Sequence, residues 1–253
     1  LGNQFLSHIR EVDLIVFVVR DFSDPNVINT GSDPNEDLEV LKAELLLKDL
    51  ESIEKRIDSL SHEIRGVGEN DQMYISLKVL EKAKKLASEG KWPGYELTRE
   101  ELDKIADLQL LSSKKSIVVL NCDENDLSKK ENPLEKDFPL KDALRICAKL
   151  EEELAGLSNE EQKQYLDEIG IGESGLRLLI NKAYEVLGLM SFYTAGEKEI
   201  RAWAIKKGSL APTAAGTIHS DFEKGFIAAD IVDFDKFVEL GGWQAARSKG
   251  FVK

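Results

Sequence analysis

The chain has 253 residues, 42% of them hydrophobic and 32% charged, with a formal net charge of −13. That length can hold two or three modules and bury a real core. The acidic balance argues against general affinity for nucleic acid or an anionic membrane.

The average conceals an asymmetry. From Phe192 to Lys253 there are nine Lys/Arg against eight Asp/Glu, a balance of +1, which leaves −14 on the first 191 residues. Any RNA contact is therefore to be sought in the C-terminal quarter. No apolar run reaches the roughly 20 residues needed to span a bilayer, and no signal peptide is visible. Cys122 and Cys147 form no CxxC pair and have no histidine at ligand spacing. A zinc site or disulfide scaffold is therefore not expected, and a reducing cytoplasm is the default.

In chain order, residues 4–10 read as a short amphipathic segment. Leu14-Ile15-Val16-Phe17-Val18-Val19 follows as a strand apolar enough to be covered on both faces. Asp33-Pro34 opens a long helix, with Leu46, Leu50, Ile53, Ile57, Leu60 and Ile64 spaced as a heptad seam. Gly66 and Gly68 break it, and Met73, Leu77, Leu80 and Ala87 resume compatible spacing through Lys84. The two arms make an antiparallel hairpin. Its charged outer faces favour projection from the sheet over burial along the domain surface. Trp92-Pro93-Gly94 marks the base of the hairpin. Thr98 with Glu101 has the form of a capping box, opening a helix that carries the chain back to the next strand.

That strand is Ser116-Ile117-Val118-Val119-Leu120, and it ends abruptly in Asn121-Cys122-Asp123-Glu124. The carboxyl end of a buried parallel strand is where open α/β sheets hold ligands. An Asn followed three residues later by a carboxylate supplies an amide and an acidic acceptor suited to the edge of a purine base. A plain Asx turn gives the same pattern. A polar stretch then leads to a short strand at Leu144-Arg145-Ile146, followed by Cys147-Ala148-Lys149 and a helical start from Glu151. Further helices run from Ser158, capped against Glu161, to Glu168 and from Glu173 to Leu187. Alternation over residues 201–205 and 226–232, punctuated by Gly208, Pro212, Gly216 and Gly225, reads as a small β-rich domain.

No catalytic triad can be assembled from the dispersed His8, His62 and His219. Asp123-Glu124-Asn125-Asp126 lacks the spacing of an EF-hand, so neither a catalytic residue nor a metal ligand is assigned. Lys206-Lys207 is a basic turn that either is solvated or touches RNA phosphate. His219 either shapes a turn, packs under Trp203, or joins Lys224 in such a contact.

In this order the pieces resemble the YchF/Obg-like ATPase family, a branch of the P-loop translation-factor GTPases, across essentially the whole chain. The resemblance is carried by Phe192-Tyr193-Thr194-Ala195-Gly196, by Arg201-Ala202-Trp203, and by the ten residues from Ile218-His219-Ser220-Asp221 to Gly225-Phe226-Ile227. Leu1-Gly2-Asn3-Gln4-Phe5-Leu6 is similar to the segment after the family's switch II. Asp33-Pro34, Asp37 and the hairpin stand where the family inserts its coiled coil.

The implied fold is α/β: a partial P-loop NTPase (Rossmann-like) G domain over residues 1–33 and 111–191, with a helical coiled-coil insertion over 34–110. A small α+β, β-grasp-like TGS domain would follow over 192–253. Asn121, Cys122 and Glu124 resemble an NxxE base-reading motif, in which the longer Glu arm weakens guanine selection. Cys147, Ala148 and Lys149 resemble the SAK-type loop that supports the base from the other side. Both cysteines would then lie at the base pocket; the plainer reading is two ordinary buried cysteines.

The resemblance further implies ATP, or GTP more weakly, as ligand of a slow nucleoside triphosphatase acting as a switch in the cytoplasm. Its partner would be the ribosome or ribosomal RNA, met through the TGS domain and coiled coil, with possible contacts at Lys206, Lys207, His219 and Lys224. Neither DNA nor membrane is expected as a partner. The sequence contains no GxxxxGK(S/T) phosphate loop. The family's P-loop, switch I and DxxG segments would precede Leu1, and its last TGS strands would follow Lys253. Mg2+ is thus expected in the complete protein with no ligand in this chain, and these residues alone are expected to hydrolyse nothing. The stretch over 125–146 is also shorter than usual for the family. The alternative is an RNA- or ribosome-binding module with no catalysis of its own.

Overall fold

Ser116 to Leu120 are all buried, in the middle strand of a three-stranded sheet. The computed structural model describes residues 8–24, 27, 33–64, 68, 71–129, 133–134, 143–196 and 199–253. The expectation for residues 1–6 and most of the stretch over 130–142 fall outside these. The chain divides into two compact units, residues 1–183 and 184–253.

In the first unit, β1 (Leu14–Asp21), β2 (Lys115–Cys122) and β3 (Ala143–Ile146) form a parallel sheet in the order β1-β2-β3. The register runs from Leu14 opposite Lys115 to Asp21 opposite Cys122, and from Val118 opposite Ala143 to Asn121 opposite Ile146. β2 is covered on both faces, as its unbroken apolar run requires. β1 is not: Ile15, Phe17 and Val19 are buried, whereas Val16 and Val18 are 37% and 60% exposed. The expectation of two-sided cover for β1 is corrected. Among the described residues, the helices pack only on its Ile15 face.

Those helices are α1 (Pro34–Glu63) and α2 (Gln72–Ser88). Asp33 caps α1 by accepting from the N–H groups of Asn35 and Glu36 at 2.7 and 3.0 Å, and Pro34 occupies the first turn, where no N–H is needed. The seam is as its spacing implies, with Leu46, Ile53 and Leu60 buried. Glu54 pairs with Lys84 at 2.8 Å and Leu60 packs with Met73, so the arms run antiparallel.

The hairpin does not simply project. Its base, through Leu38, Leu45, Leu46 and Ala87, shares one core with Ile15, Phe17, Val19, Trp92, Val118 and Leu120. Farther out, Ile53, Leu60, Val79, Leu80 and Ala83 form a second core with Leu97, Ile105 and Leu110 from the returning chain. The returning segment thus covers the part of the hairpin that lies beyond the core shared with the sheet.

The capping box at Thr98 and Glu101 is present, but its helix α3 is only Arg99–Asp103. Two 3-10 turns, Ala106–Leu108 and Leu111–Ser113, cover the remaining distance to β2, with Gln109 in a left-handed conformation at φ 46° between them. The last turn is fastened to the hairpin. Asp49 of α1, with no exposed surface, accepts from the N–H groups of Leu111 and Ser112 at 2.8 Å each, with Arg10 at 3.8 Å. Burial pushes the Asp49 carboxyl up, and the hydrogen bonds from Ser112 and Leu111 and the Arg10 charge pull it back. Gly94 fits here because a Cβ would collide with the backbone of Ser112 and Ser113.

After β3 come α4 (Ala148–Ala155), α5 (Asn159–Glu168) and α6 (Gly175–Leu187). The Ser158–Glu161 capping box opens α5 as expected.

The second unit pairs β4 (Leu189–Ala195) antiparallel with β5 (Ile200–Lys206). The strand therefore starts before residue 192, and a boundary there would cut it. Four short helices follow: α7 (Ala211–Ile218), α8 (Ser220–Lys224), α9 (Phe234–Leu240) and α10 (Trp243–Ser248). The expected strand over 226–232 does not form, and Ile227 is 94% exposed. Alternation sorts side chains, but a ladder also needs a neighbouring backbone. Among the described residues only Ile231 finds one, exchanging N–H···O bonds with Lys253 at 3.0 and 2.9 Å. Two strands among four helices correct the expectation of a β-rich module.

Candidate base-recognition edge

The middle strand delivers Asn121 and Cys122 as its last two residues, and Asp123 leads into a 3-10 turn over Glu124–Asp126. Register places Asn121 between Arg20 of β1 and Ile146 of β3. Because β2 and β3 are parallel, Cys147-Ala148-Lys149 leaves the sheet at the same edge as the Asn121 motif. The two motifs touch: Asn121 Oδ1 accepts from the Ala148 N–H at 3.0 Å. Ala148, Lys149 and Glu124 are exposed, and Asn121 is half-buried. The edge thus presents an amide and a carboxylate three residues apart, backed by the first turn of α4.

Both cysteines are buried free thiols. Cys147 packs with Leu150, Leu154 and Leu166, so its side chain serves the core beneath α4. Burial pushes the Cys122 thiol up, and a hydrogen bond and the charge from Arg145 pull it partly back. A thiol held protonated in this way is a poor nucleophile.

Sequence reasoning missed several residues at this edge. Arg145 Nη1 bonds Asp21 Oδ2 at 2.7 Å, and the Ser23 N–H donates to Asp123 Oδ2 at 3.2 Å. Arg145 carried a signal, since a charge interrupts an otherwise apolar four-residue strand. Its partner lies 124 residues away and carried none.

In the second unit, Lys206 ends β5, and the Lys207 N–H donates to the Gly188 carbonyl at 2.8 Å. His219 caps α8, its Nδ1 accepting from the Asp221 N–H at 3.2 Å, and Lys224 is that helix's last residue. His219 thus has a local structural role. All four residues are exposed. Among the described residues, no group of three or more His, Cys, Asp or Glu is arranged to hold a metal ion. No helix among them is long and apolar enough to cross a membrane.

Residues 189–253 match the family model YchF-GTPase_C, described as a protein of unknown function (DUF933). The Ribosome-binding ATPase YchF of Bacillus subtilis (strain 168) is 41% identical over 263 residues, a match covering 100% of this chain and 71% of that protein. The chain belongs to the YchF family. The Ribosome-binding ATPase YchF of Escherichia coli O157:H7 is 37% identical, again over 100% of this chain and 71% of its own length. Among solved structures, the Schizosaccharomyces pombe YchF GTPase superposes with a TM-score of 0.81 at 32% identity, covering 100% of this chain and 71% of that one. The YchF likeness is consistent with an α/β P-loop NTPase fold and with a nucleotide-binding ATPase/GTPase family.

Proposed function

We propose that this YchF chain carries the base-reading half of a nucleoside triphosphate site that takes ATP in preference to GTP. The observation that supports it most is the Asn121–Ala148 hydrogen bond, which joins the NxxE and CAK motifs into one surface. Its side-chain oxygen is occupied by Ala148, and its Nδ2 amine is a donor for a ring nitrogen of the base. The Glu124 carboxylate accepts from an exocyclic amine and, on its longer arm, meets the two adjacent donors of guanine less well than an Asp would. Cys147, Ala148 and Lys149 support the base from β3, with Cys122 and Cys147 beneath as packing.

No catalytic residue is assigned within these 253 residues, which contain no GxxxxGK(S/T). The residues named here would hold the base; among the described residues no group of three or more His, Cys, Asp or Glu is arranged to hold a metal ion. Titration of ATP and GTP against the wild-type chain and Glu124→Asp tests the reading. Glu124→Asp should move the ratio of affinities toward GTP by about tenfold, or about 1.4 kcal/mol. An unchanged ratio removes Glu124 from base reading.

The output of the switch is proposed to be ribosome binding in the cytoplasm. Residues 34–110 would serve as the coiled-coil insertion in a G domain that resumes at residue 111 and ends before β4, and the module from β4 onward as the TGS domain. The charge asymmetry and the names of the relatives support this reading. The double variant Lys207→Glu/Lys224→Glu should weaken co-sedimentation with ribosomes and flatten its salt dependence. Unaltered binding would exclude that face.

A further inference from the structure

Three contacts tie the carboxyl ends of the three strands together in pairs. Asn121 Oδ1 to the Ala148 N–H, at 3.0 Å, joins β2 to the turn after β3. The Ser23 N–H to Asp123 Oδ2, at 3.2 Å, joins the turns after β1 and β2. The third contact spans the sheet. Arg145 of β3 lies opposite Leu120 of β2, and Asp21 of β1 lies opposite Cys122, yet the Arg145 guanidinium reaches Asp21 at 2.7 Å. Cys122, the β2 residue opposite Asp21, lies between them in the register.

The Arg145 and Asp21 side chains keep only 11% and 24% of their surface exposed. A charge-assisted bond so shielded from water is stronger and more directional than a surface ion pair. Nothing in the hydrogen-bond ladder requires a bridge from β1 to β3, because β2 already pairs with both. What the bridge adds is a fixed distance between the two outer strand ends on either side of Asn121. Arg145 stands two residues before Cys147, so holding it also holds the turn that presents Ala148 and Lys149.

We propose that Arg145 is a positioning residue of the base-reading edge: paired with Asp21 across β2, it fixes the Cys147–Ala148–Lys149 turn against Asn121. This deepens the base-reading assignment and rests on it. A site pre-organised in this way loses less conformational freedom when a ligand binds. Because Arg145 positions rather than reads, its loss affects ATP and GTP alike.

The test uses the 253-residue chain, with amide hydrogen exchange and nucleotide titration on wild type, Arg145→Met, Asp21→Asn and the charge swap Asp21→Arg/Arg145→Asp. Exchange at Ala148, whose N–H is held by Asn121, should rise about tenfold in both single variants and return toward wild type in the swap. The Val118 amide should stay protected in each, which shows that the sheet is folded. ATP and GTP affinities should fall together in the single variants, with their ratio unchanged.

Wild-type exchange at Ala148 in folded Arg145→Met and Asp21→Asn would overturn the proposal, as would a shift in the ATP-to-GTP ratio. Failure of the base-reading assignment looks different. The ratio would then be insensitive to Glu124→Asp while the exchange response to Arg145→Met persists.

Discussion

Asp49→Ala is expected to destabilise the N-terminal unit by about 3–5 kcal/mol, the cost typical of removing one partner from a buried, hydrogen-bonded charge site. The carboxylate has no exposed surface and accepts from two backbone N–H groups, those of Leu111 and Ser112. Alanine leaves both donors buried without it and removes the negative charge beside Arg10. That arginine also donates to the Leu108 carbonyl at 2.6 Å and to Ser52 Oγ at 2.8 Å. The loss therefore loosens the junction of the helical hairpin, the residues before β1 and the turn that starts β2. Asp49→Asn keeps one acceptor and turns an N–H toward the second donor, so its cost should be about 2 kcal/mol. Urea unfolding followed by far-UV circular dichroism measures both. Wild-type stability in Asp49→Ala would mean that Leu111 and Ser112 find other acceptors.

This clamp also shows where reading the sequence stops. Asp49 sits within a charged helix, and its partners lie 62 and 63 residues along the chain, so no local pattern distinguishes it from a solvated carboxylate. The same holds for Asp21 and Arg145. Features set by local chemistry were legible: the Asp33 cap, the Thr98 and Ser158 capping boxes, the 46-53-60 seam and the buried run of β2. Asn121 could be located because an apolar strand ends at it. Its bond to Ala148 depends on β2 and β3 being neighbours in register. Residues 226–232 misled because alternation describes which way side chains point and says nothing of a pairing partner. For β1, continuous apolarity implied cover on two faces, whereas the packing of α1 and α2 covers one.

Asn121→Ala is expected to have the largest effect on the proposed site. It removes the amine offered to the base and the acceptor that holds the Ala148 N–H. The structural part is small, about 1 kcal/mol, because the bond to Ala148 lies in an exposed setting where water can replace it. The binding part is larger. Losing a base contact together with its support should weaken ATP by about tenfold or more. A fall in ATP affinity with little change in unfolding midpoint separates the two.

In the proposed site a nucleotide base lies against Asn121, Glu124 and the Cys147–Lys149 turn. Photolabelling with azido-ATP, followed by mapping of the modified peptides, tests it most directly. Label is expected in the peptides containing residues 121–124 and 147–149. ATP should compete at lower concentration than GTP, and Asn121→Ala should lose the label. Label confined to other peptides, or undiminished in Asn121→Ala, would contradict it.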